Sequence, residues 1–333
     1  MRILHLAAGN RWTGAAAPAF AEVEALRAAG ADAHYAYVGG YKLQAKIGRH
    51  SFAHPIIEKA QNPLSFKRTV DALCRLVHHH GFDVVHAHLT YDHWLARMVA
   101  RNHDVRLART FHARRVLRRD PFSRSLLNAT RHLFVVNQAF PVPGAVFTPP
   151  PVDHRQFHPD GPRIAAPGPL VTVIGKLTRD RGFEEAIRTF AVLREMTPCR
   201  LMIIGHGPHQ PALEALARSL GLGDDVIFAG YHEDDLAEHY RASSLLLFTA
   251  RGSDEGHRAV LEAMACGVPV ASMPIDGVDA LIPAEWIARS PGADALAATA
   301  ASLLRHPPRR VYERSLEFGY DRAAERLLSA YAR

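Results

Sequence analysis

Cysteine is scarce in this chain of 333 residues. Only Cys74, Cys199 and Cys266 occur, too few and too scattered for a disulfide framework or a cysteine-held zinc module. That scarcity fits a reducing compartment, and a cytoplasmic location is expected. No apolar run reaches the ~18 residues that a membrane-spanning helix requires. The opening stretch MRILHLAAGN meets Asn10 and Arg11 too early for the apolar core of a secretory signal. No Asp-x-Asp pair occurs, so no carboxylate-held divalent metal, and no metal site of any kind, is expected. Acid is in deficit, with 33 Asp and Glu against 40 Lys and Arg, and the net charge of +7 favours an anionic partner. Nucleic acid is not expected to be that partner, because no nucleic-acid-binding motif accompanies the charge. What is plentiful is apolar sequence, 48% of residues, which excludes a disordered chain and suffices for two ordinary domains.

Short apolar, β-branched runs alternate with helical patterns. Strands are predicted at 2–7, 33–38, 83–87, 106–111, 133–137 and 145–148, then at 170–175, 200–205, 226–230, 245–249 and 269–273. Helical windows include 15–29, 183–196, 210–220 and 258–266. This alternation predicts an α/β protein whose parallel sheets are covered on both faces. A proline-rich segment, TPPPVDHRQFHPDGPRIAAPGP, separates the two sets. The expected organisation is a Rossmann-like domain over 1–150, a linker over 151–168, a second Rossmann-like domain over 169–316, and a closing helix over 317–333. Ligands of such sheets bind beyond the carboxyl ends of the strands, so the loops that follow strands matter most.

The stretch SDEGHRAVLEAMACGVPV follows one such strand, SLLLFTA. It places Asp254, Glu255 and Gly256 in a loop and Glu262 about one turn inside the next helix, whose amino end favours phosphate. Fully helical spacing would separate Asp254 from Glu262 by ~12 Å, which suits two contacts on one long ligand better than a shared metal or proton. The alternative is that Asp254 caps the helix and Glu262 is a solvated face residue. After the strand at 170–175, VIGKLTRDRGF carries Lys176 and Arg181 with Gly175 and Gly182 on their flanks. Two cations there can neutralise a departing phosphate group, or serve as ordinary surface charges. GHGPHQ offers Gly205 and Gly207 but has Gln210 where a dinucleotide fingerprint needs its third glycine, which argues against a nicotinamide cofactor.

These segments together resemble the retaining glycosyltransferases of the GT-B fold, family 4 type. The match is closest over Leu261–Val270, where LEAMACGVPV follows the family's Glu, Ala-Met-Ala-x-Gly-x-Pro-Val course. The resemblance implies that Glu262 binds the ribose of a nucleotide sugar and that Asp254 approaches the transferred sugar. Asp254 stands where the family has Glu, and Glu255 where it has Gly, so Glu255 takes that role if the loop shifts by one residue. Lys176 and Arg181 occupy the family's Arg and Lys positions, which implies contact with the leaving diphosphate. Gly205, Gly207 and Gly230 would let backbone approach the nucleotide, and Tyr231–Leu236 would line the base pocket. In the first half, Gly14 in RWTGAAA matches the family's glycine-rich loop, and His112 in ARTFHARR matches the histidine that contacts the sugar or its phosphate. His86 and His88 lie at a strand end facing the cleft and are read as structural. His78–His80 would close a helix before Gly81.

The resemblance therefore implies a GT-B enzyme with two domains facing across a cleft and a last helix crossing back to the first domain. It would move a sugar from a nucleotide diphosphate-sugar, UDP-sugar favoured, to a hydroxyl of a glycan or lipid-linked acceptor, with retention and without metal or other cofactor, in cell-envelope glycan or glycolipid synthesis. Two other readings stand beside it: a nucleotide-sugar epimerase of the same architecture, and a nucleotide-sugar-binding protein without catalysis. A basic run, Arg109, Arg114, Arg115, Arg118, Arg119 and Arg124, lies near the amphipathic PLSFKRTVDALCRLV. It predicts peripheral binding to an anionic membrane surface, each basic residue being worth ~1 kcal/mol there; a solvated face or an acceptor-phosphate site are the alternatives.

Overall fold

The computed structural model describes residues 1–333 apart from 10, 11, 13, 14, 60, 115–119, 167, 233 and 251–256. The chain divides into two compact units, Met1–Pro151 with Tyr320–Arg333, and Val152–Gly319.

The first unit contains β1 (Arg2–Ala7), α1 (Ala16–Ala28), β2 (Asp32–Val38), α2 (Lys42–Ile47), β3 (Ala53–Ile57), α3 (Pro63–His80), β4 (Val84–Ala87), α4 (Thr90–Asn102), β5 (Arg106–Phe111), α5 (Pro121–Asn128), β6 (His132–Val135) and β7 (Val146–Phe147). All pair in parallel, in the order β3-β2-β1-β4-β5-β6-β7. Strands covered on both faces read as unbroken apolar runs rather than alternating ones, and β1 is buried from Ile3 to Ala7. One face packs Ile3, Tyr35 and Phe134 against Phe20, Val23 and Leu26 of α1. The other packs Leu4, Leu6 and Val85 against Leu73 and Val77 of α3 and Leu95 and Val99 of α4.

Helix ends are set by local chemistry. Asn62 caps α3 by accepting from Ser65 N at 2.8 Å, while Ser65 Oγ accepts from Asn62 N at 3.2 Å. The helix stops after His80 because Gly81 takes φ 62°, a left-handed conformation that costs glycine little.

The second unit contains β8 (Leu170–Ile174), α6 (Phe183–Met196), β9 (Arg200–Ile204), α7 (Gln210–Ser219), β10 (Val226–Gly230), α8 (Leu236–Ala242), β11 (Leu245–Phe248), α9 (Arg258–Ala265), β12 (Val270–Ser272), α10 (Ala293–Arg305) and α11 (Val311–Ser315). Its sheet, again parallel, runs β10-β9-β8-β11-β12. On α6, Phe183, Ala186, Ile187, Phe190 and Leu193 are buried, a three-and-four spacing that lines one helix face. The chain then returns to the first unit as α12 (Tyr320–Tyr331). There Ala323 and Ala324 pack on Ala25 of α1, and Tyr320 donates to Glu24 Oε2 at 3.0 Å. Among the described residues, no helix is long and apolar enough to cross a membrane.

Two sequence expectations need correction. The strand β3 was not anticipated, because Pro55 interrupts its pattern; β3 lies at the sheet edge, where a missing backbone N–H is tolerated. Arg109, counted with the basic surface run, is buried, with 3% exposure. It lies on β5 directly in the sheet, whereas Arg114 and Arg124 are exposed and Arg115, Arg118 and Arg119 lie outside the described residues.

Buried neutral imidazoles set one condition on stability. His93 on α4 lies against Thr130, Nε2 to Oγ1 at 2.7 Å, and Thr130 donates its own proton to Leu126 O at 2.8 Å. His93 is therefore the donor through Nε2. Burial, aided by the Arg109 charge, pushes its pKa down to about 3. The unfolded imidazole binds a proton below about 6.5 and the folded one does not until about 3, so acidification favours unfolding across that window. Urea unfolding at successive pH values should show stability falling from pH 6.5 downward, with His93 contributing at most about 1.4 kcal/mol per pH unit. His93→Gln should flatten that slope; an unchanged slope would remove His93 from the account.

Candidate functional site

In the second unit the chain steps from β8 outward through β9 to β10, then returns to the opposite side of β8 with β11 and β12. The strand order reverses at the β8–β11 boundary, the position at whose carboxyl edge open α/β sheets bind ligands. The described residues expected at the donor site follow β8, β9, β10 and β11. Gly175 and Lys176 follow β8, and Arg181 ends the short turn before α6. Lys176 is exposed and Arg181 half-buried. An Arg181 guanidinium nitrogen, Nη1, lies 3.9 Å from where a Cβ on Gly175 would stand, so both belong to one compact loop.

Backbone contacts fix this edge. Gly175 N donates to Ile204 O at 3.0 Å, Leu177 N to His206 O at 3.1 Å, and Gly205 N to Gly230 O at 2.7 Å. The loops after β8, β9 and β10 are thereby laced together. Glycine is demanded by this lacing: a Cβ on Gly205 would lie 1.8 Å from Gly175 O, and one on Gly207 would lie 2.2 Å from Leu177 O. Gly182, at φ +69°, would place a Cβ 2.1 Å from Thr249 O at the end of β11. The turn that carries Arg181 is thus pressed onto the end of β11.

Helix α9 begins after the loop from β11. Its cap residue, His257, takes φ 51°, one of two non-glycine residues with positive φ among the described residues. Its Nε2 donates to Asp276 O at 3.2 Å and its ring meets Phe248 edge-on. Strained backbone of this kind concentrates at functional sites. Glu262 is buried inside the helix; Tyr240 donates to its Oε2 at 3.2 Å and Arg258 Nε approaches its Oε1 at 3.0 Å. These contacts hold the carboxylate in one orientation. Tyr231, 61% exposed, stands edge-on to His206 at the ends of β10 and β9. Asp254, Glu255 and Gly256, and Gly14 in the first unit, lie outside the described residues.

The first unit repeats the topology, with its reversal between β1 and β4. Asp92, third residue of α4, accepts from Ala8 N at 2.8 Å and from Leu89 N at 2.7 Å, stapling the loops that leave those strands. Burial raises its carboxyl to about 6, against the pull of these N–H groups and of Arg109. His112, just past β5, shares a 2.8 Å hydrogen bond between its Nε2 and His88 Nδ1. His88 Nε2 in turn shares one of 2.9 Å with His5 Nδ1. Burial, reinforced by Arg109, lowers the His112 pKa to about 3, so the ring is neutral near pH 7 and acts by hydrogen bonding. His86 does not face a cleft. It is buried in register with His5, and its nitrogens meet Tyr331 OH at 2.6 Å and Thr110 Oγ1 at 2.7 Å, which makes it structural as expected. Sequence reasoning missed His5, Glu22 and Asp92. The available signal was a charged residue, Glu22, within the otherwise apolar first two turns of α1.

Two family models match, one in each unit: Glycosyltransferase Family 4 over residues 12–140, and Glycosyl transferases group 1 over residues 168–306. Mannosylfructose-phosphate synthase of Agrobacterium fabrum is 33% identical over 139 residues, covering 36% of this chain and 30% of that protein. The GDP-mannose-dependent alpha-(1-6)-phosphatidylinositol monomannoside mannosyltransferase of Mycolicibacterium smegmatis is 33% identical over 140 residues, 37% of each chain. The chain thus spans about a third of the length of these curated relatives. The crystal structure of Anabaena HepE in complex with UDP superposes with a TM-score of 0.78 at 16% identity, covering all of both chains, a likeness of fold.

The lacing of the β8 and β9 loops generates a graded prediction. Gly205→Ala must overcome both a positive φ and a backbone clash, whereas Gly230→Ala meets only its φ of +84° in open space. Gly230→Ala should cost about 1 kcal/mol, and Gly205→Ala about 3 kcal/mol or more, measured by urea denaturation. Equal costs would show that the loops do not depend on this contact.

Proposed function

Because the chain belongs to the family 4 type of GT-B glycosyltransferases, we propose that it transfers a sugar from a nucleotide diphosphate-sugar to a hydroxyl acceptor, with retention. The reading is carried by one arrangement: Lys176 and Arg181 on the β8 loop, and Glu262 in the helix after β11, on the two sides of the strand-order reversal. Breaking the bond between the anomeric carbon and the diphosphate leaves negative charge on phosphate oxygens. Preorganised cations act most strongly on charge that develops in the transition state, and this is the role of Lys176 and Arg181. Glu262 accepts from the ribose hydroxyls, and exposed Tyr231 offers a ring face to the base. His112, neutral, hydrogen-bonds the sugar, while Asp254 or Glu255 orients it. The acceptor oxygen forms the new bond to the anomeric carbon as the bond to the diphosphate breaks, and its proton passes to the departing diphosphate. UDP is the favoured nucleotide, supported by the HepE complex; GDP is the competitor, given the mannosyltransferase relative.

The acceptor reading is a glycan or lipid-linked hydroxyl in envelope synthesis, with the protein at an anionic membrane surface. Phe122, 75% exposed on α5 two residues before the exposed Arg124, gives that surface an apolar anchor. Phe122→Asp should release the protein from phosphatidylglycerol vesicles in sedimentation, and undiminished binding would sink this docking mode.

Calorimetry with UDP, GDP and ADP tests the donor site. One nucleotide should bind, and Glu262→Ala should weaken it ~10–100-fold, the worth of charge-assisted hydrogen bonds. Lys176→Ala should weaken the diphosphate but spare the nucleoside. If the wild type binds none of the three, or Glu262→Ala binds as well as wild type, the reading fails.

A further inference from the structure

A group of four side chains in the first unit has no part in the donor site. His5 on β1, His86 and His88 at and just past the end of β4, and Glu22 on α1 present ligand atoms that all lie within 4.8 Å of one another, and all four residues are buried. Glu22 is fully buried, and neither carboxylate oxygen has a hydrogen-bond partner among the described residues. A dry, unpartnered carboxyl costs roughly 1–3 kcal/mol when neutral and far more when charged. Burial accordingly drives its pKa up to about 8. Such a group is explained by an ion, a water or a functional proton.

The geometry selects among these. Glu22 Oε2 lies 3.7 Å from His5 Nδ1 and 3.8 Å from His88 Nε2, and the two nitrogens are 2.9 Å apart. A single point within that triangle lies about 2.0 Å from all three atoms, the usual zinc–nitrogen and zinc–oxygen bond length. Two imidazoles and one carboxylate form a common zinc ligand set with a fourth position for water. His88 also has the outer support such ligands show, since its other nitrogen bonds His112. His86 lies close, but Tyr331 and Thr110 hold both its nitrogens, so it is a neighbour and not a ligand. The nearest opposing charge is buried Arg109, which acts on His88 and His112 and is partly offset by Asp92.

We propose that His5, His88 and Glu22 bind a zinc ion within the first unit. The site differs in kind from a carboxylate-held divalent metal, whose Asp-x-Asp motif the chain lacks. Binding releases the proton of Glu22, while the proton shared by His5 and His88 moves to a ring nitrogen not on the metal, so affinity rises with pH. It also sets a tautomer: with Nε2 on the metal, His88 carries its proton on Nδ1 and donates to His112 Nε2. Neutral His112 then carries its own proton on Nδ1, an atom that is buried without a partner.

The test is metal analysis of the full chain, loaded with one equivalent of zinc chloride and desalted. About one zinc per chain should remain, and Glu22→Gln and His88→Gln should each lower retention at least tenfold. His54→Gln and His232→Gln, which alter the two other histidine groups with metal-like spacing, should retain it fully. Zinc should also raise the unfolding temperature of the wild type, and chelator should reverse the rise. If Glu22→Gln or His88→Gln does not fold, that reversible shift in wild type, kept in His54→Gln and His232→Gln, decides for the site. No retained zinc together with no shift in wild type overturns the proposal, as does zinc lost in His54→Gln or His232→Gln but kept in Glu22→Gln. None of these readouts requires nucleotide binding or transfer.

Discussion

Parallel pairing is the constraint from which the rest follows. When every strand of a sheet runs the same way, every strand-to-helix loop leaves by one edge, and each helix must return across a face. Apolar sequence is thereby confined to strands and inner helix faces, while glycines, cations and capping acids collect at the carboxyl edge. Both units obey this. In each, the strand order reverses beside the first strand, at β1–β4 and at β8–β11, so each unit has one place where adjacent loops diverge. Chemistry in this protein is expected at those places because strand-order reversals are where open α/β sheets bind ligands.

The two reversals are furnished differently. That of the second unit is held by backbone: Gly175, Gly205 and Gly207 allow carbonyl and amide groups to interlock, and Gly182 sits against Thr249 O. Lys176 and Arg181 therefore project from a platform that backbone contacts hold in place. The reversal of the first unit is held by side chains. Asp92 pins both diverging loops, and a file of imidazoles runs from His5 through His88 to His112. Side-chain networks of this sort carry protons and charge, which interlocked backbone cannot do.

Much of this was legible in the sequence, and the failures have physical causes. The strands at β1, β5 and β10 and the helix at α6 fall on the predicted residues, because apolar runs bounded by polar loops leave little freedom. The loops carrying Lys176, Arg181 and Glu262 follow from strand position alone. β3 was hidden by Pro55, since a proline that removes a ladder donor is disfavoured everywhere except at an edge, and edges are not visible in sequence. Arg109 was misplaced because a run of arginines reads as surface, whereas β5 is covered on both faces and buries every residue from Leu107 to Phe111. His5 and His88 are 83 residues apart, and no spacing rule joins residues that meet only through the pairing of β1 with β4.

That last failure shows what the histidine file does. A buried imidazole outside the file is held by its own hydroxyl partners, as His93 is by Thr130 and His86 by Thr110 and Tyr331. In the file, each shared proton fixes the next, so the polarity of the whole row is decided at one end. His112 Nδ1 presents either a proton or a lone pair according to what happens at His5 and Glu22, two rings away. The sugar contact proposed for His112 needs one of these and not the other. An unpartnered glutamate beside the far end of the row is the group placed to make that choice, whether through its own proton or through an ion that replaces it.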